Sequence, residues 1–339
     1  MPTLLEVHDG LVVDLDGVVY VGPDAVPHAV QALAAARRDG LDVCYLTNNA
    51  SRPPGDVADH LRRLGLELED ADVVTSAQVA ARMVAQRCGA GAPVLAVGGP
   101  GVALALRAEG LEPVASAADH PMAVVQGYGR EVGWTELAEA AYAVVAGALW
   151  VATNTDRTIP TPRGIAPGNG TLVDAVRAAV DVDPVVAGKP MAAAVRFAVD
   201  RSGARRPLVL GDRLDTDIEG GRAAGVDTAL VLTGVHDLVD AAEAPPERRP
   251  TVVLADLRGL RHAAPVVEVD PDGARCGGSE VALDGDRVRV LAPATDPLDA
   301  ARAALALVWA VRDSGRAVVV PEEVLRDPRL RSVGGGGGG

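Results

Sequence analysis

The stretch Leu11-Val12-Val13-Asp14-Leu15-Asp16-Gly17-Val18-Val19-Tyr20 decides how the rest of the chain is read. An apolar run of strand length that closes on acid and glycine reads as a buried parallel strand. Alternation along it puts Asp14 and Asp16 on one side and Leu15 on the other. Two carboxylates so close repel unless a cation or a shared proton relieves them. Taken alone, such a pair is as readily two turn acids before a glycine. A calcium-loop reading fails, because no run of oxygen ligands with a closing glutamate follows Gly17.

Outward from this strand the pattern alternates. Pro27 to Arg38 is helix-like, with Val30, Leu33 and Ala34 on one stripe, and Leu41 to Leu46 is a second buried strand closing on Thr47-Asn48-Asn49. Helical patterns at Gly55 to Leu64 and after Ser76, with Asp72-Val73-Val74 between, complete an α/β start with a parallel sheet. Residues 82 to 185 repeat the theme: strands at 93–97, 123–126 and 149–152, helices at 101–109 and 135–147. Short strands resume at 185–187, 208–210 and 228–232, and 241–250 reads as an exposed loop. Past Ala264 the texture becomes α+β, with strands expected at 266–269, 287–291 and 317–320. A strong amphipathic helix spans 297–312, and a glycine run at 334–339 is expected to be disordered. This C-terminal piece is expected to pack peripherally, so that its removal would leave a working protein.

Ligands of open α/β sheets bind beyond the carboxyl ends of strands. Four strand ends here carry suitable groups: Asp14 and Asp16, Thr47-Asn48-Asn49, Gly188-Lys189-Pro190, and Gly211-Asp212 with Asp215 and Asp217. Parallel strands would deliver all four to one edge. Thr47-Asn48-Asn49 could equally cap the following helix or offer a hydroxyl and N–H groups to a phosphate. Asp212 is well placed to complete a hard-oxygen site for Mg²⁺. Lys189, expected to follow a buried strand, stands apart: it is the only lysine among 32 basic residues. A lysine kept in a chain that otherwise uses arginine points to a place where a compact ammonium fits and a planar guanidinium does not.

Composition narrows the field. At 339 residues the chain is long enough for two or three domains, and its 48% hydrophobic content is ample for packed cores. A net charge of −14 argues against nucleic acid as partner, since binding it needs a basic face. No apolar run is long enough to cross a bilayer, and no basic leader precedes the first strand, so a cytoplasmic chain without membrane insertion is expected. Three scattered cysteines, Cys44, Cys88 and Cys276, form neither a disulfide framework nor a zinc site. The segment Gly98-Gly99-Pro100-Gly101 is a weak mimic of a nucleotide loop and reads better as a turn.

Together the four segments resemble the haloacid dehalogenase superfamily of phosphohydrolases. Asp14-Leu15-Asp16-Gly17-Val18-Val19-Tyr20, Leu46-Thr47-Asn48-Asn49, Gly188-Lys189-Pro190 and Gly211-Asp212-Arg213-Leu214-Asp215-Thr216-Asp217-Ile218 follow its motifs in order and spacing. Asp14 and Thr47 are 33 positions apart and Asn49 and Lys189 are 140 apart, so an inserted cap belongs in the second interval, as in the class IIA subgroup. The resemblance implies an α/β fold: a Rossmann-like doubly wound parallel core from 1–81 and 186–262, an inserted α/β cap at 82–185 and a small α+β domain at 265–333. It also implies a Mg²⁺-dependent phosphomonoesterase. Asp14 would be the nucleophile, and Asp16 the acid and base. Asp14, Asp16 (through its carbonyl) and Asp212 would hold the metal, with Asp217 behind them. Thr47, Asn48, Asn49 and Lys189 would bind phosphate, and Asn154, Asp156 and the 158–163 loop would approach the leaving group.

The small phosphorylated metabolite implied is glycerol 3-phosphate, with phosphoglycolate, nucleoside monophosphates and pyridoxal phosphate as alternatives; a homodimer is allowed for. Two departures stand out: Val18 where many relatives have threonine, and a 158–160 segment without the histidine of pyridoxal-phosphate enzymes. Rival readings are a dehalogenase, which needs no Asp16, a phosphomutase, and a non-catalytic regulator, which needs none of the four motifs. The stripe Leu305, Val308, Trp309 and Val311 reads as core or interface, not as a cofactor box.

Overall fold

The structure, a computed structural model, describes residues 2–161, 163–263, 265–293, 295–327 and 330. The 334–339 glycine run lies outside the described residues, as do Pro162 of the 158–163 loop and the last residues of the 265–333 segment. The chain forms two compact units, Met1–Val43 with Ala204–Gly339, and Cys44–Gly203.

In the first unit a short helix, Leu4–Val7, precedes β1 (Gly10–Val13), which is buried at all positions as a strand covered on both faces must be. A two-residue hairpin follows, β2 (Tyr20–Val21) against β3 (Asp24–Ala25). The helix Ala29–Arg38 buries Ala29, Leu33 and Ala36, one step round from the stripe expected. Its first turn is set by His28 in the left-handed region at φ 69, so Pro27 stays outside the helix and Val30 and Ala34 end up half-buried. β4 (Asp42–Thr47) opens in this unit, with the Asp42 N–H donating to the Asp9 carbonyl, and runs on into the second.

In the second unit β4 pairs in parallel with β5 (Val73–Thr75), Thr47 opposite Thr75. Thr75 then caps the helix Ser76–Cys88 by accepting the Gln78 N–H. Further on come β6 (Pro93–Val97), β7 (Glu112–Val114), β8 (Ala123–Gln126), β9 (Leu149–Ala152), the hairpin β10 (Thr158–Thr161) and β11 (Gly164–Pro167), and β12 (Val185–Val186). A parallel sheet in the order β12-β9-β8-β6-β7 is covered by the helices Trp134–Val145 and Asn169–Arg177, with Leu95, Val124, Trp150, Val144 and Val173 in its core.

One expectation fails here. Val185–Val186 lies beside β9, with Val185 opposite Val151, and is only half-buried. Lys189 therefore follows the edge strand of this sheet, not a buried strand of the sheet that carries Asp14. Two residues are too few to show which sheet a strand joins.

The chain returns to the first unit with β13 (Pro207–Gly211), β14 (Asp227–Val231) and β15 (Val252–Leu254), parallel in the order β15-β14-β13-β1. Val13 stands opposite Leu210, so Asp14 and Asp212 leave the sheet at the same end. The expected loop 241–250 is in part the helix Leu238–Glu243, capped by Asp237, and Ala241, Ala242 and Ala244 are buried.

The reason for that burial lies at the C-terminus. β16 (Val267–Asp270), β17 (Gly273–Cys276), β18 (Ser279–Asp284) and β19 (Arg287–Ala292) form an antiparallel sheet backed by the helix Pro297–Asp313. The 317–320 segment contributes only the bridge Arg287↔Val319. The long helix does not pack peripherally. Its Leu305, Val308 and Val311 share one core with Leu214, Ile218, Leu230, Leu238, Ala241 and Val253. Trp309 Nε1 donates to the Ala241 carbonyl at 2.9 Å, Arg312 Nη1 to Ala242 at 2.6 Å and Arg302 Nη2 to Val253 at 2.8 Å. The stripe is core, and removal of 265–339 would open that core. No helix among the described residues is long and apolar enough to cross a membrane.

Candidate active site

In the first unit the ends of β1 and β13 gather acid. Asp14, Asp212 and Asp217 each place one carboxylate oxygen within 4.8 Å of the other two, and Asp212 and Asp217 are both only 1% exposed. Asp14 N–H donates to the Leu210 carbonyl at 2.9 Å, which ties its backbone to the neighbouring strand. The sequence expectation puts Asp217 one step behind the metal. Its carboxylate joins the cluster itself, through the wide turn Leu214–Ile218, while its Oδ2 accepts the Arg213 N–H at 3.1 Å. The Asp16 carboxylate is not in the cluster, where the expected contribution of that residue is its backbone carbonyl. Asp16 is exposed, and its backbone bridges to Tyr20.

The walls of this pocket are backbone. Asp212 Oδ2 accepts the Val235 N–H at 2.7 Å, and the Thr233 hydroxyl donates to the Gly17 carbonyl at 2.7 Å. A Cβ on Gly17, at φ +84, or on Gly234 would collide with the Asp212 carboxylate. Glycine at both places lets two chain segments close on one acid. Sequence reasoning misses Thr233-Gly234-Val235; the signal available is a Thr-Gly pair one residue past the end of β14. Nearby, Asp215 titrates below the usual carboxylate range. Burial opposes this, but the bonds and charge of Arg213 outweigh it.

In the second unit the ends of β4 and β12 gather amides and one cation. Thr47 is buried, and its Oγ1 accepts the Asn49 N–H at 3.1 Å; Asn49 Oδ1 in turn accepts from Ser51 N–H at 2.9 Å and Ser51 Oγ at 2.8 Å. Those bonds fold 47–51 into a tight turn. Lys189 is 4% exposed, and its Nζ donates to the Leu46 carbonyl at 3.1 Å. Asn48 commits its side chain to the Lys189 backbone and to Asp156. Asn154 Nδ2 donates to the Asn48 carbonyl at 2.8 Å. The Gly98–Gly101 segment packs on this turn: a Cβ on Gly99 or Gly101 would strike the backbone of 50–52, and the Gly101 N–H donates to the Ser51 carbonyl. Its glycines seat the phosphate-turn candidate.

One unit gathers three carboxylates at the carboxyl end of a parallel sheet, two of them buried, which suits a hard cation; the other buries one lysine beside a hydroxyl turn, which suits an anionic group. The chain belongs to the haloacid dehalogenase-like hydrolases, and within them to the phosphatases. The model of the haloacid dehalogenase-like hydrolase family matches residues 11–112, and a second model of HAD-hydrolase-like proteins matches residues 186–260. The chain is 45% identical over 320 residues to the D-glycerol 3-phosphate phosphatase of Mycobacterium tuberculosis, covering 92% of this chain and 89% of that one. The crystal structure of glycerol phosphate phosphatase from that organism in complex with magnesium superposes with a TM-score of 0.84 over 91% of this chain and 92% of the other, again at 45% identity. The p-nitrophenyl phosphatase of Archaeoglobus fulgidus is 29% identical, with a TM-score of 0.69 over 75% of this chain and 98% of its own.

Proposed function

We propose that this phosphatase hydrolyses glycerol 3-phosphate through a covalent phosphoryl group on Asp14. The observation that carries the reading is the 45% identity with a D-glycerol 3-phosphate phosphatase across 92% of the chain. The three clustered carboxylates Asp14, Asp212 and Asp217 suit a small hard cation, and Mg²⁺ fits that donor chemistry. When bound there it would offset charge on the phosphoryl oxygens.

The chain's own residues do the rest. Asp14 Oδ attacks phosphorus in line, and the glycerol alkoxide leaves with a proton from Asp16. Asp16 then takes a proton from water, which opens the acyl phosphate and returns Asp14 as carboxylate. Lys189 Nζ, the Thr47 hydroxyl and the Asn48 N–H hold charge on the equatorial oxygens, with Asn49 shaping the pocket. Residues 82–185 would serve as the cap, whose closing excludes water, and 1–81 with 186–262 as the catalytic core.

The finer setting is part of the same proposal. The scattered cysteines at 44, 88 and 276, which form no disulfide framework, support a reducing, cytoplasmic location. The homodimer is supported by an exposed apolar stripe on one helix, Trp134, Tyr142 and Val145, in a chain poor in aromatics; light scattering that finds a monomer across the micromolar range removes it.

A phosphate-release screen tests the main claim. With Mg²⁺, glycerol 3-phosphate should give the highest kcat/KM among glycerol 3-phosphate, phosphoglycolate, a nucleoside monophosphate and pyridoxal phosphate, and EDTA should abolish turnover. A higher value on another ester overturns the substrate; no release from any overturns the reaction.

A further inference from the structure

Asn48 is the hub of the second unit's polar groups. Its Oδ1 accepts the Lys189 N–H at 2.9 Å, and its Nδ2 donates to the Lys189 carbonyl at 3.1 Å. The same Nδ2 reaches Asp156 Oδ2 at 3.3 Å. An amide side chain has two N–H donors, and here one faces the Lys189 carbonyl and the other the Asp156 carboxylate. What it has left is an oxygen, which repels a phosphate oxygen. An asparagine amide is nearly symmetric in shape, so something must decide which end is the donor. The Lys189 peptide does so, since its N–H only donates and its carbonyl only accepts, and Asp156 reinforces the choice because an ionised carboxylate only accepts. Gly188 leaves room for the arrangement: a Cβ there would lie 2.6 Å from Asn48 Oδ1. The Asn48 carbonyl is itself held by Asn154 Nδ2 and by Ser76 Oγ at 2.6 Å, so the hub has a fixed base.

We propose that Asn48 is a positioning residue that clamps the Lys189 peptide on both sides, and that Asp156 acts on Lys189 through the Asn48 amide, neither residue binding phosphate or the leaving alcohol with its side chain. The inference rests on the reading that Lys189 holds the phosphoryl charge. It predicts that the two residues fail together. Displacement of a charged group by about an ångström can cost roughly a hundredfold in rate.

The unique lysine supplies a readout that needs no turnover. Protein labelled with ¹⁵N-lysine has a single lysine peptide N–H, that of residue 189. In Asn48→Ala this signal should shift, and its hydrogen exchange should speed up at least tenfold; Asp156→Asn should give a smaller change of the same kind. In kinetics, Asn48→Ala should lower kcat ten- to a hundredfold while KM and inhibition by inorganic phosphate move less than about threefold. Asp156→Asn should lower kcat several-fold alone and add nothing in the Asn48→Ala background. Asn48→Asp places two carboxylates face to face and should be the most damaging, and adding Asp156→Asn should recover at least fivefold. Unchanged exchange at Lys189 in Asn48→Ala overturns the clamp whatever the enzyme does. Losses that multiply, or weaker phosphate inhibition with kcat intact, overturn the coupling and make Asn48 a phosphate ligand. The exchange effect in Asn48→Ala, together with a wild type that releases no phosphate, defeats the functional reading and leaves the clamp standing.

Discussion

In the first unit the strand ends bring together Asp14, Asp212 and Asp217 with no lysine among them, while in the second they bring Thr47, Asn48, Asn49 and the only lysine of the chain. The acid half is walled by backbone that approaches because Gly17 and Gly234 lack a Cβ. The cationic half is held by side-chain amides that bond backbone. The difference follows from what each half must tolerate. Three carboxylates repel one another and are stable only where a cation is expected, so their frame has to be stiff and close-fitting. A lone ammonium needs chiefly to be aimed, and a network of neutral amides aims it at little electrostatic cost.

The largest effect should come from the acid half. Asp14→Asn should lower kcat by about 10⁴-fold or more, since an amide cannot attack phosphorus, with circular dichroism unchanged. Phosphate release above one hundredth of wild type would move the nucleophile elsewhere. In the cationic half, Lys189→Arg should cost roughly a hundredfold in kcat with little change in Tm. The site is 4% exposed and closed by the Leu46 carbonyl, so a planar guanidinium displaces its surroundings. Wild-type kinetics in that variant would erase the distinction between the two halves.

Much of this was legible in the sequence because it is local. Asp14, Thr47, Lys189 and Asp212 all sit where an apolar run stops, and such stops can be read from a few residues. Three features are not local. The backbone wall around Asp212 cannot be read from Thr233-Gly234-Val235, because the acid it closes on belongs to a different loop. The strand Val185–Val186 is too short to show a period, so its place beside β9 could not be read. The helix Pro297–Asp313 was legible as a helix, but its buried alanines on several faces do not say what they touch.

That shared core gives the next effect in size. Leu305→Ala should cost about 2–5 kcal/mol, as deletion of a buried side chain does. In urea unfolding the loss should appear in the transition that also carries the Asp212 loop, because Leu214 and Ile218 lie in the same core. A separate small transition that alone responds would make the C-terminal region independent.

The smallest effect distinguishes the thiols. Burial, then the charge of Asp299, push the Cys276 thiol up to about 12. At pH 8 its thiolate fraction is about one in ten thousand, so it should stay unmodified by a disulfide reagent until the chain unfolds. Cys88, half-exposed at the end of a helix in the second unit, should react first. Prompt labelling of Cys276 in the folded protein would mean that the first unit opens locally.

The carbonyls of Ala241, Ala242 and Val253 are the sockets into which Trp309, Arg312 and Arg302 plug. A region so wired is not a detachable module. Grafted onto another phosphatase, residues 265–330 would need those three carbonyls and the apolar bed of Leu238 and Val253 transplanted with them. A chimera that moves the segment alone would leave a greasy helix on one parent and an uncovered sheet on the other.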